Sequence, residues 1–131
     1  MQPTAGRILC TEDDADTREL LTLLLTKHGF DVVCPLNTVH AIELAKAQHF
    51  DLYLVDNWMP GISGPGLTEK LREFDTKTPI LFYSGAAFES DKEDARLAGA
   101  QGYLVKPADH EVLIAEVVRL IAESRSQYPS N

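Results

Sequence analysis

Five residues of this chain could do chemistry together if the fold brought them to one place: Glu12, Asp13, Asp56, Ser84 and Lys106. Each stands at or just past the end of a short apolar run. Asp56 ends Asp51-Leu52-Tyr53-Leu54-Val55-Asp56, and the following Asn57-Trp58-Met59-Pro60-Gly61 cannot continue a central strand. Glu12, Asp13 and Asp14 follow Ile8-Leu9-Cys10-Thr11, and Lys106-Pro107 follows Gly102-Tyr103-Leu104-Val105. A charge beside a buried strand is costly unless a cation or hydrogen bonds compensate it. Carboxylates gathered at strand ends suit a hard cation such as Mg²⁺, which prefers oxygen ligands and keeps several waters. An aspartate beside such a cation can act as a nucleophile. A lysine can neutralise a transferred phosphoryl group as a point charge, and a serine hydroxyl can donate to its oxygens.

Those residues can meet only if the elements between them form one sheet. Strands are predicted at about Arg7 to Thr11, Asp31 to Cys34, Asp51 to Asp56, Ile80 to Tyr83 and Gly102 to Val105. Helices are predicted at about Asp14 to His28, Thr38 to Gln48, Pro65 to Phe74, Glu89 to Ala98 and Asp109 to Ser124. Leu20, Leu21, Leu24 and Leu25 give the first helix an apolar stripe. Val39, Ile42 and Ala45 do so for the second, and Val112, Ile114, Val117, Val118 and Ile121 for the fifth. Gly29 is placed to stop the first helix, and Pro65 to open the third. Five strand–helix units in sequence imply a parallel sheet covered by helices on both faces, with right-handed crossovers. In such sheets the ligand site lies outside the carboxyl ends of the strands, where these residues fall.

Composition narrows the classes. A length of 131 residues fits one domain with a real core. The net charge of −8, with no Lys/Arg cluster, argues against broad nucleic-acid binding. No apolar run is long enough for a membrane span, and the start has no signal-peptide pattern, so the expected location is cytoplasmic. Cys10 and Cys34 lack metal-ligand spacing and read as small, reduced strand side chains. His28, His40, His49 and His110 read as surface residues. The tail from Arg125 to Asn131 reads as polar and frayed.

Taken together, Glu12-Asp13-Asp14, Asp56 with Met59-Pro60-Gly61, Ser84-Gly85-Ala86, and Gly102 through Pro107 resemble the receiver domains of two-component response regulators. The resemblance covers about residues 6–124 of a chain expected to be a single, stand-alone receiver domain over 1–131. It implies the flavodoxin-like strand order 2-1-3-4-5 and a cis Lys106–Pro107 bond. It also implies that Asp56 accepts a phosphoryl group from a histidine kinase phosphohistidine. Mg²⁺ would be held by Asp13, Asp56 and the backbone carbonyl of Trp58, with Glu12 acting partly through water. Lys106 would pair with Asp56 and then with the phosphoryl group. Ser84 would move toward that group and Tyr103 would swing inward, changing the face made by the fourth helix, fifth strand and fifth helix. Expected partners are a histidine kinase or phosphotransfer protein and a downstream protein, with no direct nucleic-acid contact and no membrane. The expected state is a monomer or a weak phosphorylation-dependent dimer. Such a protein is no turnover enzyme; it catalyses only its own modification.

Simpler roles exist for each residue. Asp56 could cap a turn, Asp14 is expected mainly to cap the first helix, and Ser84 could be an ordinary turn residue. Lys106 could be a solvated surface lysine, and Tyr103 could be static packing. Glu12 stands where the family more often has aspartate, and Ser63-Gly64 where it more often has Asp-Gly. Trp58, two residues after Asp56, and Ala86, two after Ser84, offer no polar side chain to orient a hydrolytic water. Trp58 is therefore expected either to shield the phosphoryl group or to stand as a partly exposed aromatic at a partner surface. Two other readings compete. A flavin- or nucleotide-binding domain needs a Gly- or Ser/Thr-rich first loop, but Glu12-Asp13-Asp14 would repel phosphate. A non-phosphorylated pseudo-receiver scaffold usually lacks a site acid or the lysine, and here none is missing.

Overall fold

The computed structural model describes residues 4–129. In chain order the elements are β1 (Gly6–Thr11), α1 (Ala15–Lys27), β2 (Phe30–Val33), α2 (Thr38–Ala47), β3 (Leu52–Val55), α3 (Gly64–Arg72), β4 (Ile80–Ser84), α4 (Glu89–Ala98), β5 (Gly102–Val105) and α5 (His110–Gln127). All strand pairings are parallel, in the order β2-β1-β3-β4-β5. The expected doubly wound, flavodoxin-like fold is what forms.

Strand alternation divides the core into two layers. Ile8, Cys10, Leu52, Leu54 and Leu81 face one side and pack with Leu21 and Leu25 of α1 and Leu113, Val117, Leu120 and Ile121 of α5. Leu9, Tyr53, Val55, Ile80 and Phe82 face the other and pack with Ala41 and Ala45 of α2, Leu67 and Leu71 of α3 and Ala95 of α4. Every residue of β3 is buried, as a strand covered on both faces must be. Edge strand β5 is only half-buried.

Several predicted details change. Val39 is 64% exposed, whereas Ala45 is buried and Ile42 packs against the core as expected, and Thr38 and Ala41 complete the inward face of α2. Val112 and Val118 are likewise solvent-facing, while Leu113 and Leu120 take the core positions of α5. α5 continues to Gln127, so the expected tail is helical where it begins; Ser130 and Asn131 lie outside the described residues. Cys34 lies one residue beyond β2. Gly29 does follow α1, at φ +91°, a region that disfavours side chains.

Candidate functional site

Register decides which side chains can meet. Thr11 pairs with Val55 across β1 and β3, Val55 with Phe82 across β3 and β4, and Ser84 with Val105 across β4 and β5. The carboxyl ends of these four strands are therefore nearly level. The residues that follow them, Glu12, Asp56 and Lys106, emerge on one rim. The Asp56 amide donates to the Thr11 carbonyl at 3.2 Å, and the Lys106 amide to the Ser84 carbonyl at 2.9 Å, extending the ladder into the site itself.

Lys106 Nζ lies 2.5 Å from Glu12 Oε1 and 3.3 Å from Asp56 Oδ2. Both acids are almost fully buried, at 4% and 6% exposure. The expected Lys106–Asp56 pairing is present, but Glu12 is the nearer partner. Glu12 Oε2 also accepts the Asp14 amide at 3.2 Å, and Asp56 Oδ1 faces the Trp58 amide at 3.4 Å. Burial pushes the Glu12 carboxyl above its ordinary range; the Lys106 ammonium pulls it back and the Asp56 carboxylate adds to the rise. Burial works against the Lys106 charge, yet Glu12 and Asp56 together hold it above the usual lysine range. The ammonium of Lys106 also lies over Tyr83, with Nζ 5.6 Å from the ring centroid.

The remaining predicted residues surround this triad. Asp13 is exposed at the end of β1. Asp14 is the N-cap of α1 and accepts the Thr17 amide at 2.9 Å, which holds its carboxyl below the usual range. Its capping role is as expected. Ser84 is fully buried and its hydroxyl accepts the Ala86 amide at 3.1 Å, fixing the turn after β4. Tyr103 already lies half-buried, stacked on Phe82 with centroids 5.5 Å apart, and donates its hydroxyl to the Ala86 carbonyl at 2.6 Å. Trp58 is 67% exposed. The Lys106–Pro107 bond is cis.

Two contributors, Arg18 and Tyr83, escape the sequence reading, and a third, Gly64, enters it only beside Ser63 as a departure from the family pattern. Gly64 opens α3 so close to Asp56 that a Cβ there would lie 2.9 Å from the Asp56 carbonyl oxygen and 2.7 Å from the Phe82 ring. Arg18 donates to the Glu12 carbonyl at 3.2 Å. Tyr83 supports Lys106 and accepts the Ala108 amide at 3.3 Å. The Gly-Pro-Gly run at 64–66 carries a signal, read as the end of a loop with Pro65 opening the helix; the helix starts one residue earlier, at Gly64.

Among the described residues no three His, Cys, Asp or Glu side chains form a ready-made metal cluster. The donor set still suits Mg²⁺, which takes one or two carboxylates and leaves its other positions to water and carbonyl oxygens. Two buried carboxylates share a single ammonium here, so the rim is short of positive charge.

A level parallel rim bearing paired acids, a lysine and a buried serine defines a class before any relative is considered: a flavodoxin-like domain with its site at the strand carboxyl ends. The chain belongs to the response regulator receiver domain family, which matches residues 8–118. It is 37% identical over 114 residues to the uncharacterized transcriptional regulatory protein YrkP of Bacillus subtilis, covering 87% of this chain and 48% of that protein. It is 30% identical over 124 residues to the cell cycle transcriptional regulator CtrA of Caulobacter vibrioides, covering 95% and 54%. The chain spans about half the length of the curated relatives it matches. The receiver domain of the sensor histidine kinase PA1611 from Pseudomonas aeruginosa superposes with a TM-score of 0.83 at 26% identity, covering 89% of this chain and 98% of that one. That structure is described with a magnesium ion coordinated in its active site cleft. The chain is thus a receiver domain of the two-component type. Among the described residues no helix is long and apolar enough to cross a membrane.

Proposed function

We propose that Asp56 accepts a phosphoryl group from the phosphohistidine of a histidine kinase or phosphotransfer protein, and that the chain works as one receiver domain. The observation that carries this reading is the Lys106 ammonium seated between the buried Glu12 and Asp56 carboxylates. An oxygen of Asp56 attacks phosphorus while the phosphorus–nitrogen bond breaks and its electron pair returns to the imidazole. Lys106 then follows the charge from the carboxylate to the phosphoryl oxygens. The Ser84 hydroxyl leaves the Ala86 amide and donates to the same oxygens. Asp13, Asp56 and the Trp58 carbonyl would hold Mg²⁺, with Glu12 acting partly through water. The ion would supply charge neutralisation for the transferring group.

Ser84 and Tyr103 both hydrogen-bond to Ala86, so a movement of Ser84 is felt at Tyr103 and hence at the face made by α4, β5 and α5. That face binds a downstream protein, or the phosphoryl group passes onward in a relay; the modification is a local charge change that biases a two-state element. The domain turns over no separate substrate, and its acidic surface supports a role without direct nucleic-acid contact. The test is incubation with a small phosphodonor and Mg²⁺ followed by intact mass measurement. We expect one phosphoryl adduct that hydroxylamine removes and that Asp56→Asn abolishes. No adduct, or one that persists in the variant, overturns the reading and favours a scaffold.

A further inference from the structure

The phosphoacceptor site makes no use of the two cysteines, both of which are free thiols. Cys10 lies in β1 at 1% exposure, and Cys34 is half-buried just past β2, at the sheet edge. The β1–β2 register runs from Gly6↔Phe30 to Leu9↔Val33, and one further step sets Cys10 opposite Cys34. Neighbouring strands lie about 4.7–4.9 Å apart. A disulfide spans Cα separations of about 4.4–6.8 Å. Register partners point to one face, and Cys34 packs against the same core layer that contains Cys10. Thr22 of α1 places its hydroxyl 3.6 Å from the Cys34 sulfur.

We propose that Cys34 is a peroxide-reactive thiol that closes an intramolecular disulfide onto Cys10, beneath the acidic rim. The chemistry of Cys34 supports the assignment of roles. The Cys10 thiol beside it is the main influence, opposed by burial and aided by the Thr22 hydroxyl and the Arg18 charge, and the Cys34 thiol falls to about 6. Thiolate character and partial exposure are what make a cysteine oxidisable. The Cys34 thiolate attacks one peroxide oxygen, the oxygen–oxygen bond breaks, and the other oxygen leaves as hydroxide or alkoxide. That anion takes up from solvent the proton that Cys34 released on ionising and becomes water or alcohol. The resulting sulfenic acid is attacked by the Cys10 sulfur. The hydroxyl leaves as water with the Cys10 proton. Two thiols thereby give up two electrons and the peroxide receives them. Cys10 stands two residues before Glu12, so the bond ties the strand carrying a site acid to the sheet edge.

The test uses the full chain, reduced, exposed to hydrogen peroxide and then alkylated under denaturing conditions. The expected product has lost the mass of two hydrogens, takes up no alkyl groups, and recovers both alkylatable thiols after reduction. A proteolytic map should yield a peptide joining Cys10 to Cys34. In Cys10→Ser, oxidation should halt at a Cys34 sulfenic acid that dimedone traps. Two thiols still alkylatable after peroxide, disulfides only between chains, or dimedone labelling confined to Cys10 in Cys34→Ser would each overturn the proposal. The wild-type mass result stands whether or not either variant folds.

Discussion

At the scale of single residues, the site is governed by one ammonium shared between two buried carboxylates. The Glu12 carboxyl is raised by burial even with Lys106 2.5 Å away. A carboxyl raised above its unfolded value stabilises the fold while protonated, and that contribution is lost as pH rises through the folded value. Glu12 therefore supports the fold less at neutral pH than in acid. Glu12→Gln should melt higher than wild type at pH 7, and the gap should close as pH falls toward the ordinary glutamate value of 4.5. Thermal melts at the two pH values check this; a variant less stable than wild type at pH 7 means that Lys106 overcomes the burial. Trp58 calls for a kinetic measurement instead. Its indole is largely exposed while its amide faces Asp56, so a solvent-side ring is anchored directly beside that carboxylate. The shielding role expected from the sequence has it keep water from the phosphoryl group. Trp58→Asn should then hasten dephosphorylation roughly tenfold, a change of about 1.4 kcal/mol in barrier. Equal rates in the two proteins sink the shielding role.

At the scale of elements, level strand ends bring the chemistry together, and the helices hold those ends in place. α3 shows how tight the tolerance is. Ser63 caps it by accepting the Gly66 amide at 3.1 Å, and Gly64 admits the Asp56 backbone only because it lacks a Cβ. Gly64→Ala should cost about 1–3 kcal/mol from overpacking against backbone and a buried ring. Ser63→Ala should cost about 1 kcal/mol as a lost cap. Urea unfolding separates them, and only the first should also lower the rate of phosphoryl uptake at Asp56. Equal uptake in both variants would show that the turn yields without moving the acid. Much of this architecture was legible because its signals are chemical: continuous apolar strands, acids or a lysine where they stop, and Gly or Pro where helices begin and end. Asp56 stood out because β3 is covered on both faces and a charge ending it needs an explanation. The helix faces were less legible. Val39 satisfies helical spacing as well as Ile42 and Ala45 do, yet it faces solvent while Thr38 and Ala41 join Ala45 in the buried face and Ile42 packs at its margin. The nearer partner of Lys106 was hidden for a similar reason. Spacing brings three side chains to one rim, but their conformers decide that Glu12 lies closer than Asp56.

At the scale of the whole molecule, the acidic rim and the net charge of −8 both attract cations, and they do so in separable ways. Diffuse attraction depends on ionic strength and fades over a Debye length, about 10 Å at 0.1 M salt. A specific site saturates, and an ion bound only by the folded state stabilises it by mass action, reaching about 2.7 kcal/mol at a hundredfold excess over the dissociation constant. The proposed ligands predict the second behaviour. Added Mg²⁺ should raise the melting temperature by several degrees beyond NaCl of matched ionic strength. The rise should saturate with concentration. Asp13 is the discriminating residue, because it is exposed and its replacement should change basal stability by no more than about 0.5 kcal/mol. Asp13→Asn should therefore melt near wild type without the ion and lose most of the Mg²⁺-dependent rise. If the variant and the wild type rise together, the ion is screening the acidic surface as a whole, and the carboxylates at the strand ends are not its site.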